Sequence, residues 1–153
     1  MLIQIQEYIS EDLTPLAEIF YLAVHNISTG IYTNIQLDAW APESILEQKF
    51  TLKKTWICRI EEEIVGYIDF IPSIGYINHL YVRPDYQHKG IASLLYQTIE
   101  TEASQLKIKK LTVDASKAAL PFFLNKGFAL ERENIVVRRN VEIINFTLCK
   151  NSI

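Results

Sequence analysis

Tyr81-Val82-Arg83-Pro84-Asp85-Tyr86-Gln87-His88-Lys89-Gly90-Ile91-Ala92 is where an apolar run stops at a proline and reopens, through a polar turn, as a helix. Upstream, residues 77–82 read as a mostly apolar strand bounded by Gly75 and Pro84. Downstream, Ile91, Leu94, Leu95, Ile99 and Leu106 recur at helical spacing and predict a helix over 91–106. The first amides of that helix lack partners within it, and the helix dipole adds partial positive charge there, so an anion is favoured along residues 87–92. Gly90 lets a ligand approach the backbone, and Ala92 and Ser93 keep the first turn free of bulk. Lys89 adds a formal charge and Gln87 an amide donor. A pyrophosphate suits such a turn. The same residues also fit a plain helix start, with Gly90 relieving strain and His88 and Lys89 solvated.

The rest of the chain has to decide between these readings. Its 153 residues suit one domain with a single sizeable core. With 49% hydrophobic and 22% charged residues it reads as soluble and globular, and no apolar run approaches the roughly 18 residues a membrane span needs. The opening Met1-Leu2-Ile3-Gln4-Ile5-Gln6 alternates like a strand and lacks the basic and apolar regions of a secretory signal, so the expected address is the cytoplasm. Cys58 and Cys149 lie far apart in strand-like segments, which reads as two buried thiols rather than a disulfide framework or a zinc site. A net charge of −3 argues against nonspecific nucleic-acid binding and is weakly compatible with a cationic substrate.

Along the chain, residues 3–8 read as the first strand, and Ser10 followed by Glu11 and Asp12 reads as the cap of a helix reaching about Asn26. Residues 28–42 look irregular, and a short second helix is expected over 42–50, opening on Pro42. Residues 55–60 and 64–71 are β-rich and joined by Glu61-Glu62-Glu63, a hairpin turn. A later hairpin joins 135–137 to 141–148 through Asn140. Strand, two helices, three strands, helix, strand, helix and two strands make a mixed α/β sheet. In it the long helix after Tyr81 crosses over to a parallel strand at 111–114.

With these elements placed, Gln87-His88-Lys89-Gly90-Ile91-Ala92 resembles the acyl-CoA signature of the GNAT N-acetyltransferase superfamily: Gln or Arg, two residues, Gly, one residue, then Gly or Ala. A second block is similar to the family's strand, short helix and Gly-Phe ending. It comprises Val113-Asp114-Ala115-Ser116 and then Ala119-Leu120-Pro121-Phe122-Phe123-Leu124-Asn125-Lys126-Gly127-Phe128. Asp38-Ala39-Trp40-Ala41-Pro42, Pro121-Phe122-Phe123 and Asn145-Phe146 resemble a bacterial subgroup of YafP-like acetyltransferases. The resemblance implies a GNAT-like fold, a central, mostly antiparallel sheet with a splayed parallel strand pair and flanking helices.

It also implies acetyl-CoA as co-substrate, with no metal. The pyrophosphate would lie on Gln87, His88, Lys89, Gly90, Ile91, Ala92 and Ser93, and the pantetheine arm along Leu80, Tyr81 and Val82. Ser116 would stand near the arm, and Phe122 would pack against it. The acceptor would be a primary amine of a small molecule or peptide. It would attack directly in a ternary complex, because no nucleophile motif is visible. A free alkyl ammonium has a pKa of roughly 10.4 and must first lose its proton.

The catalytic candidates are His79, Tyr32 and Asp69. His79 has a catalytic and a structural reading. Strand alternation puts Tyr76, Asn78 and Leu80 on one face and His79 and Tyr81 on the other, and only one face meets substrate. Asp69 binds an amine, relays a proton, or is an ordinary hydrogen-bonded carboxylate. His25, near the end of the first helix, reads as a cap. Many family members carry Tyr where Phe123 stands, and Phe donates no proton to the departing thiolate. Either the thiolate leaves unaided or Tyr32 or Tyr81 reaches the sulfur. Tyr32, Trp40, Tyr76 and Asn78 are the expected acceptor wall. A noncatalytic acyl-CoA-binding module and a nucleotide-binding module are the competing functions, and the chain lacks GxxxxGK[ST] and GxGxxG. The late hairpin offers an edge for a homodimer.

Overall fold

The computed structural model describes residues 2–46 and 51–151. In chain order the elements are β1 (Ile3–Glu7), α1 (Thr14–His25), α2 (Asn34–Trp40), β2 (Lys54–Ile60), β3 (Glu63–Ile71), β4 (Tyr76–Val82), α3 (Ile91–Gln105), β5 (Lys110–Ser116), α4 (Leu120–Asn125), β6 (Ala129–Arg138) and β7 (Val141–Asn151). The strands form one sheet in the order β1-β2-β3-β4-β5-β7-β6, antiparallel except where α3 carries the chain across to lay β5 parallel to β4. This is the mixed sheet expected from the element order.

Alternation along the strands divides the core between two faces. Ile57 and Tyr67 pack with Leu16 and Ile19 of α1, while their neighbours Cys58 and Ile68 join Leu95 and Ile99 of α3. Both cysteines are buried free thiols, and the Cys149 thiol donates to Glu131 Oε2 at 3.0 Å. Among the described residues no helix is long and apolar enough to cross a membrane.

Several local expectations change. Ser10 caps a turn by accepting from the Asp12 amide at 3.1 Å, and Asp12 accepts from the Thr14 amide at 3.0 Å, so α1 starts three residues later than a cap at Ser10 predicts, with Pro15 in its first turn. The stretch read as irregular holds α2, which opens on a capping box. Thr33 Oγ1 accepts from the Gln36 amide at 3.1 Å and Gln36 Oε1 from the Thr33 amide at 2.9 Å. The helix expected over 42–50 is a 3-10 turn at Glu43–Leu46, and its remainder, 47–50, lies outside the described residues. β6 is longer than its apolar centre implies, since the charged stretch Glu131-Arg132-Glu133 is tolerated on a sheet edge. The β6–β7 turn has Arg139 and Asn140 both at positive φ, 48° and 67°, the conformation a two-residue hairpin requires.

A bulge in β4 matters most for the site. Asp69 pairs with His79, but the next residue, Phe70, pairs with Ile77, so Asn78 is an extra residue. The buried Asp69 carboxylate fastens it. Oδ2 accepts from Asn78 Nδ2 at 2.9 Å, and Oδ1 accepts from Thr55 Oγ1 at 2.8 Å and from the Lys53 amide at 2.9 Å. The extra residue overturns the simple alternation. Ile77, Leu80 and Val82 face the α3 side, while Tyr76 joins His79 and Tyr81 on the other.

Candidate active site

β4 and β5 pair only through Tyr76–Thr112 and Ile77–Val113, after which the parallel ladder ends. Beyond Ile77, β4 stays paired to β3 alone, so its other backbone edge faces an open fork. Into the fork opens a cleft of about 700 Å³. Leu80, Tyr81 and Val82 form one wall, and Ser116, Phe122 and Phe123 the opposite one. Gln87, His88, Gly90, Ile91, Ala92 and Ser93 close the end at the start of α3.

The backbone turns sharply there, with His88 at φ 62° and Gly90 at φ 81°. A Cβ on Gly90 would meet nothing within 4 Å, so the glycine serves the left-handed conformation rather than crowding within the protein. The Gln87 side chain braces the turn. Its Nε2 donates to Val82 O at 3.2 Å, and its Oε1 accepts from Asn26 at 3.5 Å. Lys89 lies outside the cleft lining, with its ammonium 5.8 Å from the Tyr86 ring centre. The first amides of α3 have no partner within the helix and close this end of the cleft, with His88 beside them.

A second cleft of about 320 Å³ lies on the α1 side and shares Trp40, Tyr81 and Ser116 with the first. Tyr32, Tyr76, Asn78 and His79 line it together with Asp114, Arg138 and Asn145. Trp40 stands beside the Tyr81 hydroxyl, where its indole N–H favours the ionised phenol slightly. Burial, the largest influence on Tyr81, raises its pKa far above the usual phenol value, so its proton stays on at neutral pH.

The candidates divide by where they sit. Tyr32 lines the smaller cleft only. Its hydroxyl donates to Ile144 O at 2.6 Å and accepts from the Lys117 amide at 2.9 Å, so its proton is committed to the β7 backbone. Of the two tyrosines considered for the sulfur, Tyr81 is the one at the junction of the clefts. Asp69 lines neither cleft and is the strut of the bulge, the hydrogen-bonded reading of that residue. His79 lines the smaller cleft, with Nδ1 2.8 Å from the Tyr67 hydroxyl, and burial lowers its pKa to about 4. His25 Nε2 lies 2.7 Å from Ala41 O, a brace between α1 and the residue after α2.

Two cleft residues had no role assigned from the sequence. Asp114 stands where β5 leaves the ladder. It accepts from the Tyr76 hydroxyl at 3.0 Å and from the Thr147 hydroxyl. Arg138 closes β6 on the cleft wall. The available signal for Asp114 was topological, since ligands gather at the C-terminal ends of parallel strands where they diverge.

Residues 31–149 match the family model described as the acetyltransferase (GNAT) domain. The chain belongs to the GNAT acetyltransferases. This GNAT chain is 35% identical over 146 residues to the uncharacterized N-acetyltransferase YafP of Escherichia coli K12, covering 94% of this chain and 93% of that one. Among solved structures, a GCN5-related N-acetyltransferase from Rhodopseudomonas palustris superposes with a TM-score of 0.87 at 27% identity, covering 99% of both chains. The PaiA N-acetyltransferase of Thermoplasma acidophilum, solved with coenzyme A, shares the fold at a TM-score of 0.76 and 20% identity, covering 99% of this chain and 100% of that one. As a GNAT acetyltransferase the protein is an enzyme, and the YafP likeness agrees with the subgroup read from its motifs.

Proposed function

We propose that the protein transfers the acetyl group of acetyl-CoA directly to a primary amine held in the smaller cleft. The observation that carries this is the meeting of two clefts at Tyr81, Trp40 and Ser116, where the parallel ladder ends and a strand edge lies open. The larger cleft takes the donor. The amides at the start of α3 hold its pyrophosphate, and the open edge of Leu80 to Val82 hydrogen-bonds its arm as an added strand would. The coenzyme A in the PaiA structure supports this choice of ligand class.

The acceptor enters past Tyr76 and Asn78. Its nitrogen forms a bond to the thioester carbon as the carbon–sulfur bond breaks, and the amine's proton passes to solvent. A backbone amide on the β4 edge steadies the developing oxyanion. Tyr81, protonated and in contact with both clefts, gives its proton to the leaving sulfur and regains one from water. Neutral His79 lines the acceptor path as a hydrogen-bonding group whose low pKa makes it a weak base.

Thiol release from acetyl-CoA across a panel of amines tests the proposal. Release that depends on both substrates is expected. Tight binding of acetyl-CoA with no amine-dependent release from any acceptor would contradict it.

A further inference from the structure

The smaller cleft carries both signs of charge. Its volume of about 320 Å³ sits near the lower end of small-molecule sites, roughly 300–1,000 Å³. Asp114 enters it from the fork of the sheet and Arg138 from the last residue of β6. Among the described residues neither forms an ion pair with an opposite charge: Asp114 accepts only hydroxyls, and Arg138 donates to Val137 O of its own strand at 3.3 Å. The Tyr76 hydroxyl, 3.0 Å from Asp114, also feels the Arg138 charge. The neighbouring Arg139 has a different task, donating to Ala39 O at 2.7 Å to hold the hairpin turn on α2.

A simple alkylamine would leave the Arg138 fork unused, and a diamine would bring a second cation against it. A carboxylate matches the fork with two parallel hydrogen bonds. Asp114 also lines the narrow space between the parting strands, so the ammonium end of an acceptor belongs there, nearest the donor cleft.

We infer that the acceptor is a small amino-carboxylate, a free amino acid or an ω-amino acid, with its amine received at Asp114 and its carboxylate held by Arg138. The inference rests on the acetyl-transfer reading for its direction, and its binding test is independent of that reading. Both charged residues are solvent-exposed, so the expected discrimination is moderate, roughly tenfold.

The test compares amino-carboxylates of two to six carbons with the alkylamine and diamine of matched length, by kcat/KM from thiol release. At the best length the amino-carboxylate should lead the alkylamine by about tenfold, with the diamine last. Arg138→Ala should bring the amino-carboxylate to alkylamine ratio to about one, and Arg138→Lys should restore part of it. Equal rates across all three classes, a preference for peptide amines over free amino acids, or an unchanged ratio in Arg138→Ala would each overturn the inference. If no amine releases thiol, acetyl transfer itself fails. Calorimetry on protein saturated with coenzyme A then decides. Amino-carboxylate binding that Arg138→Ala abolishes upholds the charge reading, and no binding, or binding the variant retains, refutes it.

Discussion

Tyr81 and Phe123 face the same cleft, and only one of them has a proton to give. Tyr81 keeps its proton at neutral pH and so has a hydroxyl to offer a thiolate, although burial makes it a weaker acid than a free phenol. Tyr81→Phe should lower kcat about 10- to 100-fold while the acetyl-CoA dissociation constant, measured by calorimetry, changes little. His79 makes a prediction of opposite character. Its folded pKa of about 4 lies below the 6.5 of an unperturbed histidine. The imidazole is therefore already neutral throughout neutral pH and gives kcat/KM no inflection near 6.5, and the rise with pH follows the amine instead. For stability the sign runs the same way. The unfolded chain binds the proton first, so the contribution is complete above about 6.5 and is lost as pH falls toward about 4. Urea midpoints across that window, with the His79 ring titrated by NMR, check both statements. At this scale the sequence exposed the missing tyrosine hydroxyl at Phe123. It concealed Asp114 and Arg138, because a lone acid ending a strand and an arginine before a turn also read as ordinary solvated residues.

The β4 bulge decides which side chains line the smaller cleft, and it depends on Asp69. Removing that carboxylate leaves Thr55, Asn78 and the Lys53 amide without their acceptor. Asp69→Ala should cost about 2–4 kcal/mol by urea unfolding and depress kcat/KM more than acetyl-CoA affinity, since Tyr76 and His79 lose their register before the α3 turn does. An unchanged unfolding midpoint would refute the strut. Periodicity read the long elements well. α3, β2 and β3 follow from apolar spacing, and the Gln87 to Ala92 turn from a proline, a glycine and a helix start. It failed where counting by twos assumed a regular pleat, because one inserted Asn78 exchanges the faces upstream of it. The α2 cap was legible in Thr33-Asn34-Ile35-Gln36, a pattern obscured by Gly30 before it and by Asn34 within it.

One continuous sheet joins the N-terminal strand to the last hairpin, and α1 and α3 cover its two faces. Such a molecule is expected to unfold in a single transition, with acetyl-CoA at 100 times its dissociation constant adding about 2.7 kcal/mol. Two calorimetric peaks, or a melting temperature indifferent to acetyl-CoA but raised by ATP, would contradict this. The chain's small net charge of −3 makes the opposed charges in the smaller cleft a local matter, invisible in composition. The partition between the two clefts is a few side chains thick, and Trp40, Tyr81 and Ser116 each present a surface to both. With donor and acceptor placed as proposed, each substrate would form part of the other's floor. Linkage makes the effect mutual: by whatever factor bound coenzyme tightens or loosens the acceptor, the acceptor alters the coenzyme's affinity by the same factor.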